Sequence, residues 1–153
     1  MPRCHALLFA LCSFAAACGT TSDAAPTAPT TLAPQPASPQ ALQQQCVATM
    51  TRSRACTDQY VPALVDARAR IDRPSGIAAA VHSDRDGVIA QARSEWDKDS
   101  TDEMLAERCQ AIVAHLPLEA QADVSRAQQC VAQADCGAFV ACVMPIVEKH
   151  LAN

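Results

Sequence analysis

Six of the chain's nine cysteines, Cys46, Cys56, Cys109, Cys130, Cys136 and Cys142, fall in a region of regularly spaced apolar residues. Their mutual reach restricts what that region can fold into. If all six are oxidised, fifteen pairings are conceivable. On one helix Cys46 and Cys56 would stand ~15 Å apart, beyond the ~7 Å Cα limit of a disulfide, so they do not bond each other. Cys130 and Cys142 flank Cys136 symmetrically, with Cys136 in the turn of a final helical hairpin, which makes Cys130 to Cys142 the favoured pair. Cys46 and Cys56 then take Cys109 and Cys136 in one order or the other. Either order staples the first helix to the C-terminal half across long loops, nominally worth ~4 kcal/mol per bond.

The apolar periodicity of residues 41–153 is helical throughout, and no run alternates with period two for long enough to argue a strand. Ala41 to Thr57 read as a first helix with Val47 and Met50 facing inward. A residue before proline is biased away from the α region, so the chain is expected to break near Tyr60 and Val61. It restarts at Pro62 with Leu64, Val65 and Ile71. Pro74, Ser75 and Gly76 end that helix. Ser83 with Asp86 resembles a helix start leading into Val88, Ile89, Ala92 and Trp96. Ser100 with Glu103 makes a capping box for a helix whose stripe is Leu105, Cys109, Ile112 and Leu116, stopped by Pro117. Ala120, Val124, Ala127, Val131 and Ala134 form the next stripe. Asp135 caps a last helix carrying Phe139, Val143, Val147 and Leu151, kinked at Pro145. The expected fold class is all-α, an irregular bundle of five or six short helices stapled by disulfides. Aromatic residues make up 3% of the chain, so Ala supplies much of the apolar content and the disulfides compensate for a modest core.

The N-terminus reads as an address. Arg3 precedes an apolar stretch from Ala6 to Ala17, which ends in the small residues Ala15-Ala16-Ala17 directly before Cys18. This arrangement of charged, apolar and small-residue segments is a signal peptide, and its junction resembles a bacterial lipoprotein lipobox. The resemblance implies cleavage before Cys18 and a lipid-modified Cys18, acylated by palmitate-type chains, at the mature N-terminus. Gly19 at the following position implies the outer membrane under the commonest sorting rule. Cleavage removes Cys4 and Cys12, and acylation occupies Cys18. The remainder is the even set of six, as an oxidising compartment favours. The alternative is a soluble periplasmic or secreted protein.

Residues 18–40 form a separate block in which Pro26, Pro29, Pro34, Pro36 and Pro39 alternate with Ala and Thr. Such a segment cannot bury enough surface to offset its ordering entropy and reads as an extended tether reaching up to ~70 Å in polyproline geometry. The expected organisation is thus a signal peptide over 1–17, a lipidated cysteine and tether over 18–40, and a disulfide-stapled helical domain over 41–153.

Charge is segregated along the domain. Arg52, Arg54, Arg68, Arg70 and Arg73 make its first part basic, while Asp84, Asp86, Glu95, Asp97, Asp99, Asp102, Glu103 and Glu107 make the middle acidic. Complementary faces within one fold account for part of this, and an acidic patch for a cation or basic partner is the functional alternative. The net charge of −4 and the lack of aromatics among the arginines apart from Tyr60 argue against nucleic acid. Trp96 extends an apolar stripe and reads as core. His82, Asp84, Asp86 and Gly87 resemble the middle of an EF-hand loop, but His82 stands where the first carboxylate belongs and Arg93 where the bidentate Glu belongs. The step from Cys46 to Cys56 is similar to one half of a twin CX9C hairpin, but the second half fails and no copper or import role follows. No HExxH, CxxCH, GxSxG or Walker-type pattern occurs. His115 and His150 fall at helix C-termini, where an imidazole favours the dipole. No cofactor, metal or enzymatic reaction is therefore expected. The expected function is a membrane-anchored envelope lipoprotein acting as a binding or interaction module, its partner an envelope protein or ligand. The alternative is a small-molecule or peptide carrier with an apolar pocket between helices, to be distinguished by an enclosed cavity of a few hundred Å3 rather than a filled core.

Overall fold

In the computed structural model, which describes residues 37–152, the domain is all-α. The described residues form six helices: α1 (Pro39–Ala55), α2 (Thr57–Arg70), α3 (Ile77–Asp99), α4 (Asp102–Ala114), α5 (Leu118–Cys130) and α6 (Cys136–Leu151). None is long and apolar enough to cross a membrane. Cys18, the signal peptide and almost all of the tether lie outside the described residues.

Local chemistry sets several of the helix starts, those of α1 and α4 one or two residues away from where they are expected. Ser38 Oγ accepts from the Ala41 amide at 3.2 Å, and Pro39 occupies the first helical turn of α1, where its missing N–H costs nothing. Pro39 therefore belongs to the domain and not to the tether. The inward face of α1 is Leu42, Cys46 and Ser53, whereas Val47 and Met50 are only half-buried.

The cap of α4 is Thr101, whose side chain accepts from the Met104 amide at 3.3 Å. Ser100 ends α3, and its carbonyl is held by Arg54 at 2.6 Å. With the cap moved by one residue, Glu103 falls short of the third helical position and the expected box does not form. Asp135 caps α6 as expected, accepting from Ala138 at 2.8 Å, and α6 runs on through Pro145 to Leu151.

The expected break at Tyr60 and Val61 is absent, because α2 is helical through Pro62. A proline at that position leaves the carbonyl four residues earlier, that of Asp58, without its helical donor. Arg93 of α3 supplies one, donating Nη2 to the Asp58 carbonyl at 3.1 Å while Nη1 pairs with the Asp58 carboxylate at 2.8 Å. The chain breaks instead at Cys56, which ends α1.

Asp72 and Gly76 take positive φ in the turn between α2 and α3. The Asp72 carboxylate accepts from the amides of Gly76 at 2.9 Å and Ala78 at 3.0 Å. These bonds, that to Ala78 foremost, hold its pKa below the usual carboxylate value. The start expected at Ser83 is a kink within α3: Asp84 leaves helical geometry at φ −151° and ψ 77°, and its carboxylate accepts from the Gly87 amide at 2.9 Å.

Packing divides the helices into two sets, α2 against α3 and α6, and α1 against α4 and α5, joined where α5 meets α6 and, less extensively, where α1 meets α2. The first set holds the main core, with Phe139 fully buried among Tyr60, Val61, Val65, Ile89 and Val143. The second buries Leu42, Cys46, Leu105, Cys109 and Ala120. Because α4 packs chiefly on α1, its expected stripe is only half used, and Ile112 is 39% exposed. The stripe of α5 is cut short as well. Val131, Ala132 and Gln133 wind down in bonds to residues three earlier, leaving Ala134 exposed in the turn.

The three disulfides bridge these parts. Cys130–Cys142, the favoured pair, joins α5 to α6 with 5.6 Å between Cα atoms. The open order resolves as Cys46–Cys109, tying α1 to α4, and Cys56–Cys136, tying the α1–α2 junction to the first residue of α6.

Candidate functional site

Helices α2 and α3 diverge beside Trp96 to leave a partly open cleft of about 230 Å3. Its floor is apolar, formed by Val61, Leu64 and Val65 of α2 and by Ala92 and Trp96 of α3. The i, i+3, i+4 spacing that puts Val61, Leu64 and Val65 on one face also places Arg68 on the rim one turn further on. Glu95 and Asp99 rise from α3, and Arg108 reaches in from α4.

The indole is fixed rather than loose. Trp96 Nε1 donates to Thr57 Oγ1 at 3.1 Å, and its ring lies 5.4 Å from that of Tyr60, tilted by 47°. Trp96 is thus half-buried against the core, as its stripe predicted, and is at the same time a wall of the cleft. Burial pushes the Tyr60 hydroxyl pKa up, against a hydrogen bond to Ser53 and the charge of Arg68.

The rim charges are loosely engaged. Arg108 and Asp99 stand 4.0 Å apart. Among the described residues neither Arg68 nor Glu95 forms an ion pair, and Glu95 accepts only the Gln91 amide, at 2.9 Å. A floor that favours an apolar body, bordered by two cations and two carboxylates, can select a small ligand by shape and charge.

A second polar cluster was not legible in the sequence. Asp123 of α5 is 3% exposed, covered by cations that are themselves half-exposed. Its Oδ2 accepts from Lys149 Nζ at 2.6 Å and from His150 Nε2 at 3.0 Å, and its Oδ1 faces Arg126 at 3.4 Å. The Lys149 hydrogen bond, opposed by burial and helped by His150, holds the Asp123 pKa below the usual carboxylate range. His150 therefore has a carboxylate partner in addition to its place at the end of α6. His115 ends α4 with its amide bonded to the Ile112 carbonyl at 3.2 Å. The signal for Asp123 was weak: an acidic residue three positions after Ala120, inside an otherwise apolar stripe.

The remaining candidates are dispersed. His82 and Asp86 are exposed on α3, Asp84 caps its kink, and Arg93 serves Asp58. No group of three or more His, Cys, Asp or Glu residues is placed to hold a metal among the described residues.

Among the described residues the one ion pair between the basic and the acidic segment is Arg54–Asp102, 2.6 Å apart. Arg70 pairs instead with Glu148, Arg73 donates to the Leu151 carbonyl at 2.9 Å, and Arg52 donates to the Gln133 carbonyl at 3.2 Å. Asp97, Glu103 and Glu107 are exposed and, among the described residues, form no ion pair. Compared with known proteins, the chain matches no family model, no curated protein and no solved structure.

Proposed function

We propose that this chain is a lipoprotein of the cell envelope, anchored through Cys18 and carrying an oxidised helical domain as an interaction module on a proline-rich tether. The observation that carries the reading is the closure of Cys46, Cys56, Cys109, Cys130, Cys136 and Cys142 into three bonds within the domain. Such a framework suits an oxidising compartment. Once residues 1–17 are removed, Cys18 is the one cysteine left over, at the position where a lipobox places its acyl chains. Several acyl chains give stable anchorage where a single one does not.

Mass spectrometry of the mature N-terminus tests this. The expected product begins at an acylated Cys18 and partitions with the outer membrane. A product that begins at an unmodified Cys18 overturns the anchor and leaves a soluble exported protein. A second reading, a carrier with an apolar pocket between helices, draws on the cleft beside Trp96, which is partly open and not the enclosed cavity expected of a carrier. The cleft's partial openness and modest size fit a small ligand or a single inserted side chain better than an enclosed molecule.

A further inference from the structure

We propose that the cleft between α2, α3 and α4 binds a short unblocked peptide with an apolar side chain, recognised as a zwitterion. The inference rests on the carrier reading of that cleft and names its ligand class. The floor of Val61, Leu64, Val65 and Trp96 calls for an apolar group. Its volume of about 230 Å3 is below the ~300 to 1,000 Å3 of pockets for drug-sized ligands, so it suits a molecule no larger than a dipeptide.

Charge supplies the rest. Glu95 and Asp99 are one turn apart on α3, Arg68 comes from α2 and Arg108 from α4, and with Arg108 4.0 Å from Asp99 both signs border the floor. A purely anionic amphiphile gains from the guanidinium groups but is opposed by the two carboxylates, and a cationic one meets the converse. A ligand with an ammonium at one end of a peptide unit and a carboxylate at the other finds a partner for each. Arg68 and Glu95 have no ion pair to give up among the described residues, and the Arg108–Asp99 contact of 4.0 Å is long enough to open at little cost. The hydrogen bond to Thr57 and the contact with Tyr60 hold the indole in place beforehand, which lowers the ordering cost of binding.

Trp96 is the only tryptophan, so intrinsic fluorescence of the full oxidised chain reports directly on this cleft. Leucyl-leucine is expected to shift the emission saturably. Free leucine, whose charges are adjacent, N-acetyl-leucine amide, which has none, and octanoate, which has only one, are each expected to bind at least ~10-fold more weakly. The variants Arg68→Gln and Glu95→Gln, both rim positions, should each weaken leucyl-leucine binding by about the same factor with unchanged helical signal. Equal binding of octanoate or of the blocked amide overturns the zwitterion inference while leaving an apolar carrier. Tighter binding of leucine than of the dipeptide overturns the peptide assignment. No saturable response to any probe overturns both the ligand class and the carrier reading.

Discussion

At the scale of single residues, Asp123 is the most consequential side chain outside the core. Its carboxylate gathers Lys149 and His150 from the end of α6 onto α5. Because its folded pKa lies below the ordinary value of 3.8, the charged form is favoured by folding. That contribution is fully present above the unfolded pKa and fades as pH falls through the folded one. Melting temperature is therefore expected to drop below about pH 4, with Asp66, depressed by its hydrogen bond to Arg85, acting in the same direction. Asp123→Asn should lower stability at neutral pH by about 1 kcal/mol, since its cations are half-exposed and solvent-screened, and should flatten the acid limb. Thermal melts of both proteins from pH 7 to 2.5 check this. An unaltered acid limb in the variant would show that Asp123 is not among the groups responsible.

At the scale of elements, α4 depends on one neighbouring helix and one disulfide. It packs chiefly on α1, and Met104, Ile112 and Leu118 around it are the more exposed large apolar residues of the domain. What holds it is the Leu105 contact together with the Cys46–Cys109 bond, which closes 63 residues of chain. Replacing both cysteines by alanine should cost ~2 to 5 kcal/mol. The loss should appear first as faster amide exchange in α4, while α2, α3 and α6 keep their protection. Uniform loss of protection across all six helices would mean that the two packing sets unfold as one.

For the whole molecule, the decisive quantity is how little apolar volume the core contains. Phe139 and Tyr60 are the aromatic residues buried within it, with Trp96 packed at its edge. Small domains of this kind lean on cross-links. The three disulfides lie at α1–α4, at the α1–α2 junction with α6, and at α5–α6, so together they tie both packing sets. Full reduction is expected to abolish cooperative melting and most of the helical circular dichroism signal. Retention of both, with an unchanged melting temperature, would show that the helices suffice alone.

Local chemistry was enough to establish the all-α class, the Asp135 cap of α6, the inward stripe from Phe139 to Leu151 and the Cys130–Cys142 pair, because each depends on residues close in the chain. The exclusion of a Cys46–Cys56 bond followed from helical rise alone. Tertiary structure decided the rest, for reasons of distance in sequence. Pro62 reads locally as a helix start, yet α2 passes through it because Arg93, far along the chain, supplies the missing donor to Asp58. Ser100 reads as a cap, yet its carbonyl is engaged by Arg54 from α1 and the cap moves to Thr101. The order of the two long disulfides, the Asp123 cluster and the charged walls of the cleft likewise join helices whose approach no local pattern encodes. Periodicity specifies which face of a helix is buried, but the partner it is buried against is set by the packing of the whole domain.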